Sequence, residues 1–393
     1  MKRKLLIVGG GYADIPIIKA AKALGFYVIS SGLDEKGLGN SYSDLYCRAD
    51  NSNKEDVLAI ARKLKVDAIC PNAAGHSAVS CSYAAEKMGF KDLDSYDIAI
   101  TLHYKDRFLK FAKENGIKSP RAESFNNINI AKNAIEGFPF PLIIKPVDLS
   151  GGKGVLKVVN KDEAKIAIKN AFDKSRVKTI VIEEFIEGSN HGLSTIIKNG
   201  KVIFHFIDNE YYYLNRYTVA GTSTPADVPR KVIEGLIFEI EKIASILKLK
   251  DGIFHLQFVL KGTRPYIFDL CRRIPGDLYV DFVKYATGID YPLFIVKAFT
   301  GGDIEGLEQK HPDGYYIRHV IMGNKNGKFK GVTIEDAIRG NILKVFMIFK
   351  PGNSIVDFMT QRLGIIFLKY NSKKDSKNIT SRIHELIRVE IEE

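Results

Sequence analysis

The chain has 393 residues, 45% of them hydrophobic and 26% charged, with 33 glycines and 13 prolines. At about 150 residues per domain this length makes two or three domains, and the composition excludes a fibre, a disulfide miniprotein and a disordered chain. The net charge of +12 would favour a polyanion if it were gathered on one face. The basic residues are instead spread over short clusters at Met1–Lys4 and Ser372–Lys377 and over helix-like stretches such as Lys161–Lys174, so no nucleic-acid partner is expected.

Cys47, Cys70, Cys81 and Cys271 form no CxxC pair, which points to free thiols rather than a zinc site. The apolar run after Met1-Lys-Arg-Lys is too short for a secretion signal, and no window approaches 18 uninterrupted apolar residues. A cytoplasmic protein without a membrane partner is the expectation.

Leu5–Val8 reads as a buried strand that turns through Gly9-Gly10-Gly11 into a helix carrying Ile15, Ile18, Ala21 and Leu24. A strand at Tyr27–Ser30, a helix at Asp56–Leu64, a strand at Ala68–Cys70 and a helix at Ser77–Met88 continue the alternation and predict a parallel, doubly wound sheet. The glycine turn begins a dinucleotide fingerprint but lacks its third glycine, so a structural turn, a small anion site and a nicotinamide site all remain open there. His76, near Asn72-Ala-Ala-Gly75, stands at the carboxyl edge of this sheet, where α/β folds hold ligands.

The spacing of Phe108, Leu109 and Ala112 predicts one bridging helix between Thr101 and Pro120. From Leu142 the pattern becomes strand (Leu142–Lys145), loop (Asp148–Gly154), strand (Val155–Val159), helix (Lys161–Asp173) and strand (Thr179–Glu184), a small α+β unit. Strands at Leu193–Lys198 and Lys201–Asp208 flank Asn199-Gly200, a type I′ hairpin signal. A helix at Val228–Leu247, a second strand pair at Ile253–Leu260 and Pro265–Leu270, and a region of short strands with a helix near Val332–Arg339 and a final segment Ile379–Val389 complete the chain.

The chemistry concentrates in three tracts. Pro141-Leu-Ile-Ile-Lys145-Pro146 followed by Ser150-Gly-Gly-Lys-Gly154-Val155 sets a lysine at a strand end beside a loop whose backbone N–H groups suit phosphate oxygens. Glu183-Glu184-Phe185-Ile186 ends an apolar strand in acids, and Asp269-Leu-Cys271-Arg272-Arg273-Ile-Pro-Gly276-Asp277 follows a strand that contains Gln257.

In this order the motifs resemble the ATP-grasp superfamily, most closely the biotin carboxylase, carbamoyl-phosphate synthase and glycinamide ribonucleotide synthetase group or the amino-acid ligases. The resemblance implies an α/β and α+β chain with the ATP-grasp fold: a doubly wound pre-ATP-grasp domain over residues 1–100, a bridging helical segment over 101–125, a lid over 126–190, a core over 191–310 and a carboxy-terminal subdomain over 311–393. It implies ATP as nucleotide, held by Lys105, Lys145, the phosphate loop Ser150, Gly151, Gly152, Lys153, Gly154 and Val155, and the hinge Glu183, Glu184, Phe185 and Ile186. The family's ribose acid falls at Asn190 or His191, neither acidic.

Asp269 and Gln257 stand at the positions that hold Mg²⁺ or Mn²⁺, with Cys271 where an Asn is usual. Arg273 stands at the catalytic arginine, and His76, Tyr213, Arg216, Arg272, Gly276 and Asp277 fall on the substrate side. The implied reaction joins a small-molecule carboxylate to an amine, or to another nucleophile such as a thiol, through an acyl phosphate, and the family allows a homodimer. Two other classes stand beside it: a non-catalytic nucleotide-binding homologue, which Gln257 and Cys271 make thinkable, and a nicotinamide oxidoreductase built on Gly9–Gly11.

Overall fold

The computed structural model describes residues 2–149 and 151–392. The opening apolar run is β1 (Lys4–Val8), followed by α1 (Ile15–Ala23), β2 (Tyr27–Gly32), β3 (Leu45–Arg48), α2 (Lys54–Leu64), β4 (Ala68–Pro71) and α3 (Gly75–Met88). The four strands are parallel in the order β3-β2-β1-β4, as alternating strands and helices require. β3 escapes sequence reading because it is a short edge strand with every side chain at least partly exposed.

The glycines of the first turn admit side chains rather than a ligand. A Cβ on Gly9 would stand 2.2 Å from Asn72 Cβ, and one on Gly10 would stand 1.8 Å from Asn40 Oδ1. Asn40 and Asn72 thus fill the space in which a dinucleotide pyrophosphate would have to approach the backbone, and the nicotinamide alternative finds no cradle there.

Where one helix is predicted between Thr101 and Pro120, the structure has two, α4 (Tyr96–His103) and α5 (Lys105–Glu114). Tyr104 between them is extended (φ −81°, ψ 122°), and the Lys105 N–H leaves the helical ladder to donate to Val147 O at 3.2 Å. The break sets Lys105 at the first residue of α5, against the next unit.

That unit comprises β5 (Ala122–Phe125), α6 (Ile128–Ala134), β6 (Leu142–Pro146), β7 (Leu156–Val158), α7 (Lys161–Lys174) and β8 (Ile180–Glu184). Its antiparallel sheet runs β5-β8-β6-β7, so the end of the bridging segment is itself an edge strand. Leu142, Ile144, Ala164, Ile168, Ile180 and Ile182 give it a core of its own.

The remaining elements are β9 (Ser189–Lys198), β10 (Lys201–Tyr212), β11 (Val219–Thr224), α8 (Arg230–Leu247), β12 (Gly252–Lys261), β13 (Arg264–Cys271), α9 (Tyr279–Thr287), α10 (Tyr291–Phe299), β14 (Tyr315–Ile321), β15 (Gly327–Ile334), α11 (Asp336–Arg339), β16 (Ile342–Met347), β17 (Ser354–Ile355), β18 (Gly364–Tyr370), α12 (Lys373–Leu386) and β19 (Ile387–Glu392). β9 and β10 are joined through Asn199 (φ 50°) and Gly200 (φ 74°), the pair of positive φ values a type I′ turn demands.

One antiparallel sheet of order β13-β12-β9-β10-β11-β14-β18-β16 carries this part of the molecule, and β17-β15-β19 form a small sheet beyond it. The helix predicted near Val332–Arg339 is mostly strand: Val332, Thr333 and Ile334 pair with Val389, Arg388 and Ile387, and only Asp336–Arg339 is helical. Three consecutive β-branched residues favour that outcome, but the pairing partner lies at the far end of the chain. Leu5–Val8 of the first unit share a hydrophobic cluster with Val280, Phe282, Tyr291 and Ile295 of α9 and α10, so the first unit is seated on the large sheet.

Candidate active site

Antiparallel pairing aligns a row of polar residues across the large sheet. Asp269 on β13 faces Gln257 on β12, Gln257 faces Gly192 on β9, and Gly192 faces Asp208 on β10. Two residues on, Glu210 faces Thr222 on β11, and Thr222 faces Arg318 on β14. Directly opposed residues, and residues two apart on a strand, share a face. The whole row therefore lines one surface.

At the β13 end, cations converge. Lys145, at the end of β6, is buried and donates to Glu183 Oε1 at 2.7 Å. Lys105 donates to Leu149 O at 2.7 Å, and burial lowers its pKa, with Asp269 and Glu183 opposing the shift. Burial alone would raise the Asp269 carboxyl, yet the charges of Lys105, Lys145 and Arg273 overcome it and hold the group below the usual carboxylate range. Arg273 gives Nη1 to Ile274 O at 2.8 Å, while its buried Nε has no partner among the described residues. Burial raises the Cys271 thiol, which keeps it protonated beside these groups.

The glycine-rich loop adopts the backbone that its sequence allows: Gly151, Gly152 and Gly154 have φ of +67°, +71° and +76°, a region closed to most other residues. Ser150 lies outside the described residues, Lys153 is exposed, and Val155 N–H closes the turn on Gly152 O at 3.3 Å. The loop rests on the β10–β11 connection. Thr218 Oγ1 donates to Gly151 O at 2.9 Å, Tyr217 OH accepts from Lys157 N–H at 2.6 Å, and a Cβ on Gly152 would stand 2.2 Å from Tyr217 O.

In the hinge, Glu183 belongs to the Lys145 ion pair and keeps a buried, unpartnered Oε2. Glu184 accepts from Arg121 N–H at 2.8 Å, Phe185 N–H donates to Pro141 O at 3.1 Å, and the Lys157 ammonium lies 3.7 Å over the Phe185 ring. Ile186 is half-buried beside them, and Asn190 sits on β9 opposite Val259. His191 stacks on Phe258 (centroids 5.2 Å apart) and its Nε2 meets Ser189 Oγ at 2.6 Å, an internal arrangement.

The other end of the row holds residues that the sequence did not single out. Both Glu210 oxygens accept from Gln257 Nε2, at 2.7 and 2.8 Å. Asp208 is fully buried; Oδ1 accepts from Gly192 N–H at 3.1 Å and Oδ2 has no formed hydrogen bond, with Tyr279 beside it. Burial raises both carboxyls, and the Arg318 charge opposes the rise. Arg318 donates Nε to Thr222 Oγ1 at 3.1 Å and Nη1 to Asp277 O at 2.9 Å. Two acids spaced i, i+2 after the apolar run of β10, and an arginine inside the apolar run of β14, were the available signals.

Several expected substrate residues are otherwise engaged. Arg272 does not face the row: its Nε donates to Asp94 Oδ2 at 2.7 Å, its Nη1 to Ile253 O and Gly252 O at 2.5 and 3.3 Å, and its Nη2 to Lys250 O. The guanidinium is a buried staple between the first unit and β12. Asp277 accepts from Tyr12 OH at 2.5 Å and from Arg362 Nε at 3.3 Å, so it ties three parts of the chain together. Gly276 O accepts from Tyr279 N–H at 3.1 Å. Tyr213 stacks on His384 of α12 with centroids 4.6 Å apart, and Arg216 is exposed. His76 packs edge-on against His103 (5.1 Å), whose imidazole is held neutral down to about pH 3 by burial and then by nearby His76, Lys105 and Arg273.

Comparison with known proteins follows this geometry. Residues 104–214 match the family described as phosphoribosylglycinamide synthetase, ATP-grasp (A) domain. The carbamoyl phosphate synthase large chain of Pseudothermotoga lettingae is 26% identical over an alignment of 326 positions that covers 78% of this chain and 29% of that protein. The formate-dependent phosphoribosylglycinamide formyltransferase of Prochlorococcus marinus is 26% identical over 383 residues, 93% of this chain and 92% of that protein. Among solved structures, the L-amino acid ligase of Bacillus licheniformis superposes with a TM-score of 0.83 at 18% identity, covering 100% of both chains.

The chain has the ATP-grasp fold, and residues 104–214 within it match that ATP-grasp (A) domain. It spans less than a third of the length of the carbamoyl phosphate synthase chains that it matches. No helix among the described residues is long and apolar enough to cross a membrane.

Proposed function

We propose that the protein is an ATP-dependent ligase that activates a small-molecule carboxylate as an acyl phosphate and passes the acyl group to an amine or another nucleophile. The observation that carries this reading is the sheet face itself, with Lys105, Lys145 and Arg273 gathered about the ionised Asp269 at one end and Arg318 at the other. A polyanion fits the first end, since Arg273 Nε is buried without a partner, and an unpaired buried cationic donor is costly unless an anion meets it.

Lys105, Lys145 and the N–H groups of Gly151–Gly154 would hold the phosphates, and Asp269 with the Gln257 oxygen would hold Mg²⁺ or Mn²⁺, which neutralises phosphate charge when bound. Arg273 would stabilise the charge that develops as the carboxylate oxygen displaces ADP from the γ-phosphorus. Arg318, whose guanidinium is fixed by Thr222 and Asp277, is suited to a substrate carboxylate or the acyl phosphate formed from it.

The test is an ADP-release screen over amino acids, sugar acids and amines with Mg²⁺ or Mn²⁺. Release that depends on a carboxylate and acceptor pair supports the ligase. ATP binding without release under every pairing refutes it in favour of the non-catalytic reading.

A further inference from the structure

Gly192 opens a gap in the large sheet that one pair of side chains crosses. β9 separates β10 from β12, so the backbones carrying Glu210 and Gln257 are about 10 Å apart at ordinary strand spacing. A Cβ at position 192 would stand 3.2 Å from Glu210 Oε1 and 2.5 Å from Asp208 Oδ1. Glycine leaves Glu210 room to reach over β9 and take the Gln257 amide with both oxygens, where a larger residue would press on both acids.

We propose that Glu210 is the positioning residue of the Gln257 metal ligand, fixing its amide so that Oε1 rather than Nε2 faces the divalent cation held by Asp269. The inference rests on the assignment of Asp269 and Gln257 to the metal. An amide offers a donor end and an acceptor end, and Gln257 Nε2 donates to both Glu210 oxygens, so the end that meets Glu210 is the NH₂ group. That commits the nitrogen to the β10 side and frees the carbonyl oxygen for β13, where Asp269 is the direct cross-strand neighbour. A carboxylate drawing on the NH₂ group also polarises the amide and makes its oxygen a better ligand, as outer partners of metal ligands generally do. Tyr212 OH donates to Glu210 Oε2 at 3.4 Å, a second contact on the same carboxyl.

The test measures Mn²⁺ binding to the ADP complex of the full chain by the electron paramagnetic resonance signal of free Mn²⁺, and ADP binding in EDTA by calorimetry. Glu210→Gln should raise the Mn²⁺ dissociation constant at least fivefold and leave metal-free ADP affinity unchanged. Gly192→Ala should move it the same way. Gln257→Glu alone should bring no tightening, because it sets two carboxylates in contact, whereas the exchange Glu210→Gln with Gln257→Glu rebuilds the pair with the charge at the metal and should bind Mn²⁺ at least as tightly as the wild type. The proposal is overturned if Glu210→Gln stays within twofold of wild type, if Gln257→Glu alone tightens binding as much as the exchange does, or if the wild-type ADP complex takes up no Mn²⁺. Turnover does not enter the readout. Failed ADP release with these shifts intact refutes the ligase alone, and normal release with unchanged Mn²⁺ binding refutes this inference alone.

Discussion

Adjacent arginines 272 and 273 should answer to different assays. Arg272 is 8% exposed and occupies Asp94, also 8% exposed, along with three backbone carbonyls. Arg272→Ala removes every one of those donors and leaves a buried carboxylate whose remaining partner is Lys250 N–H at 2.8 Å. Removing one member of a buried ion pair costs about 3–5 kcal/mol, because the other charge stays desolvated and unpaired. With an unfolding entropy of about 2.1 cal/mol/K per residue summed over the whole chain, that loss lowers the melting temperature by about 4–6 °C, and by more if the first unit detaches before the rest.

Differential scanning calorimetry measures the loss directly, and tyrosine fluorescence follows it too, since the chain has 18 tyrosines and no tryptophan. Arg272→Lys should recover part of the loss, as a lysine keeps the charge but cannot span Asp94 and the carbonyls together. Arg273→Ala should melt closer to wild type and lose ADP release. An Arg272→Ala protein that melts like wild type but shows a raised KM would refute the staple and return Arg272 to the substrate.

Lys145→Ala should weaken ATP binding at least tenfold, about 1.4 kcal/mol; unchanged calorimetric affinity in the folded variant sinks that assignment, and pairing it with Glu183→Gln removes the orphaned acid as a cause. Gly152→Ala, at φ +71° and with its Cβ against Tyr217 O, should lift the phosphate loop off the β10–β11 connection and speed proteolytic cleavage within Asp148–Lys153; equal cleavage of variant and wild type counts against the docking. Burial holds the imidazoles of His103, His255 and His319 neutral down to about pH 3 in the folded protein. Each therefore takes up a proton on unfolding below about pH 6.5, so stability rises with pH up to that point and falls on acidification by up to about 4 kcal/mol per pH unit for the three together. Urea midpoints that stay level between pH 7 and pH 5 would contradict this.

The half of the candidate site proposed to hold nucleotide could be singled out because its motifs are local. Lys145 and the glycine loop lie within ten residues of each other, and the Glu183–Ile186 hinge is one strand end. The other end of the row could not, because its members meet only through sheet pairing: Glu210 reaches Gln257 across 47 residues, and Thr222 bonds Arg318 across 96. The same reason hides β15, whose partner is the last strand, and the helix break at Tyr104, which depends on an acceptor at Val147. Arg272 misled for a different reason. It lies just past the end of β13, where strand alternation no longer applies, and its partners are Asp94 and the carbonyls of Lys250, Gly252 and Ile253, distant in the chain.

The departure at position 257 follows from the acids that surround it. Asp269 stays ionised because Lys105, Lys145 and Arg273 face it, and Lys145 is already shared with Glu183. Asp208 and Glu210 have Arg318 as the cation that opposes their burial. A glutamate at 257 would put a further acid against Glu210, whose carboxyl burial already raises to about 7, and the repulsion between two carboxylates in one buried site would push one of them further toward its neutral form. Glutamine avoids the repulsion, keeps an oxygen for the proposed metal and supplies the donor that Glu210 accepts from, so the neutral residue on β12 and the additional acid on β10 are one arrangement, and Gly192 is the residue that lets them meet.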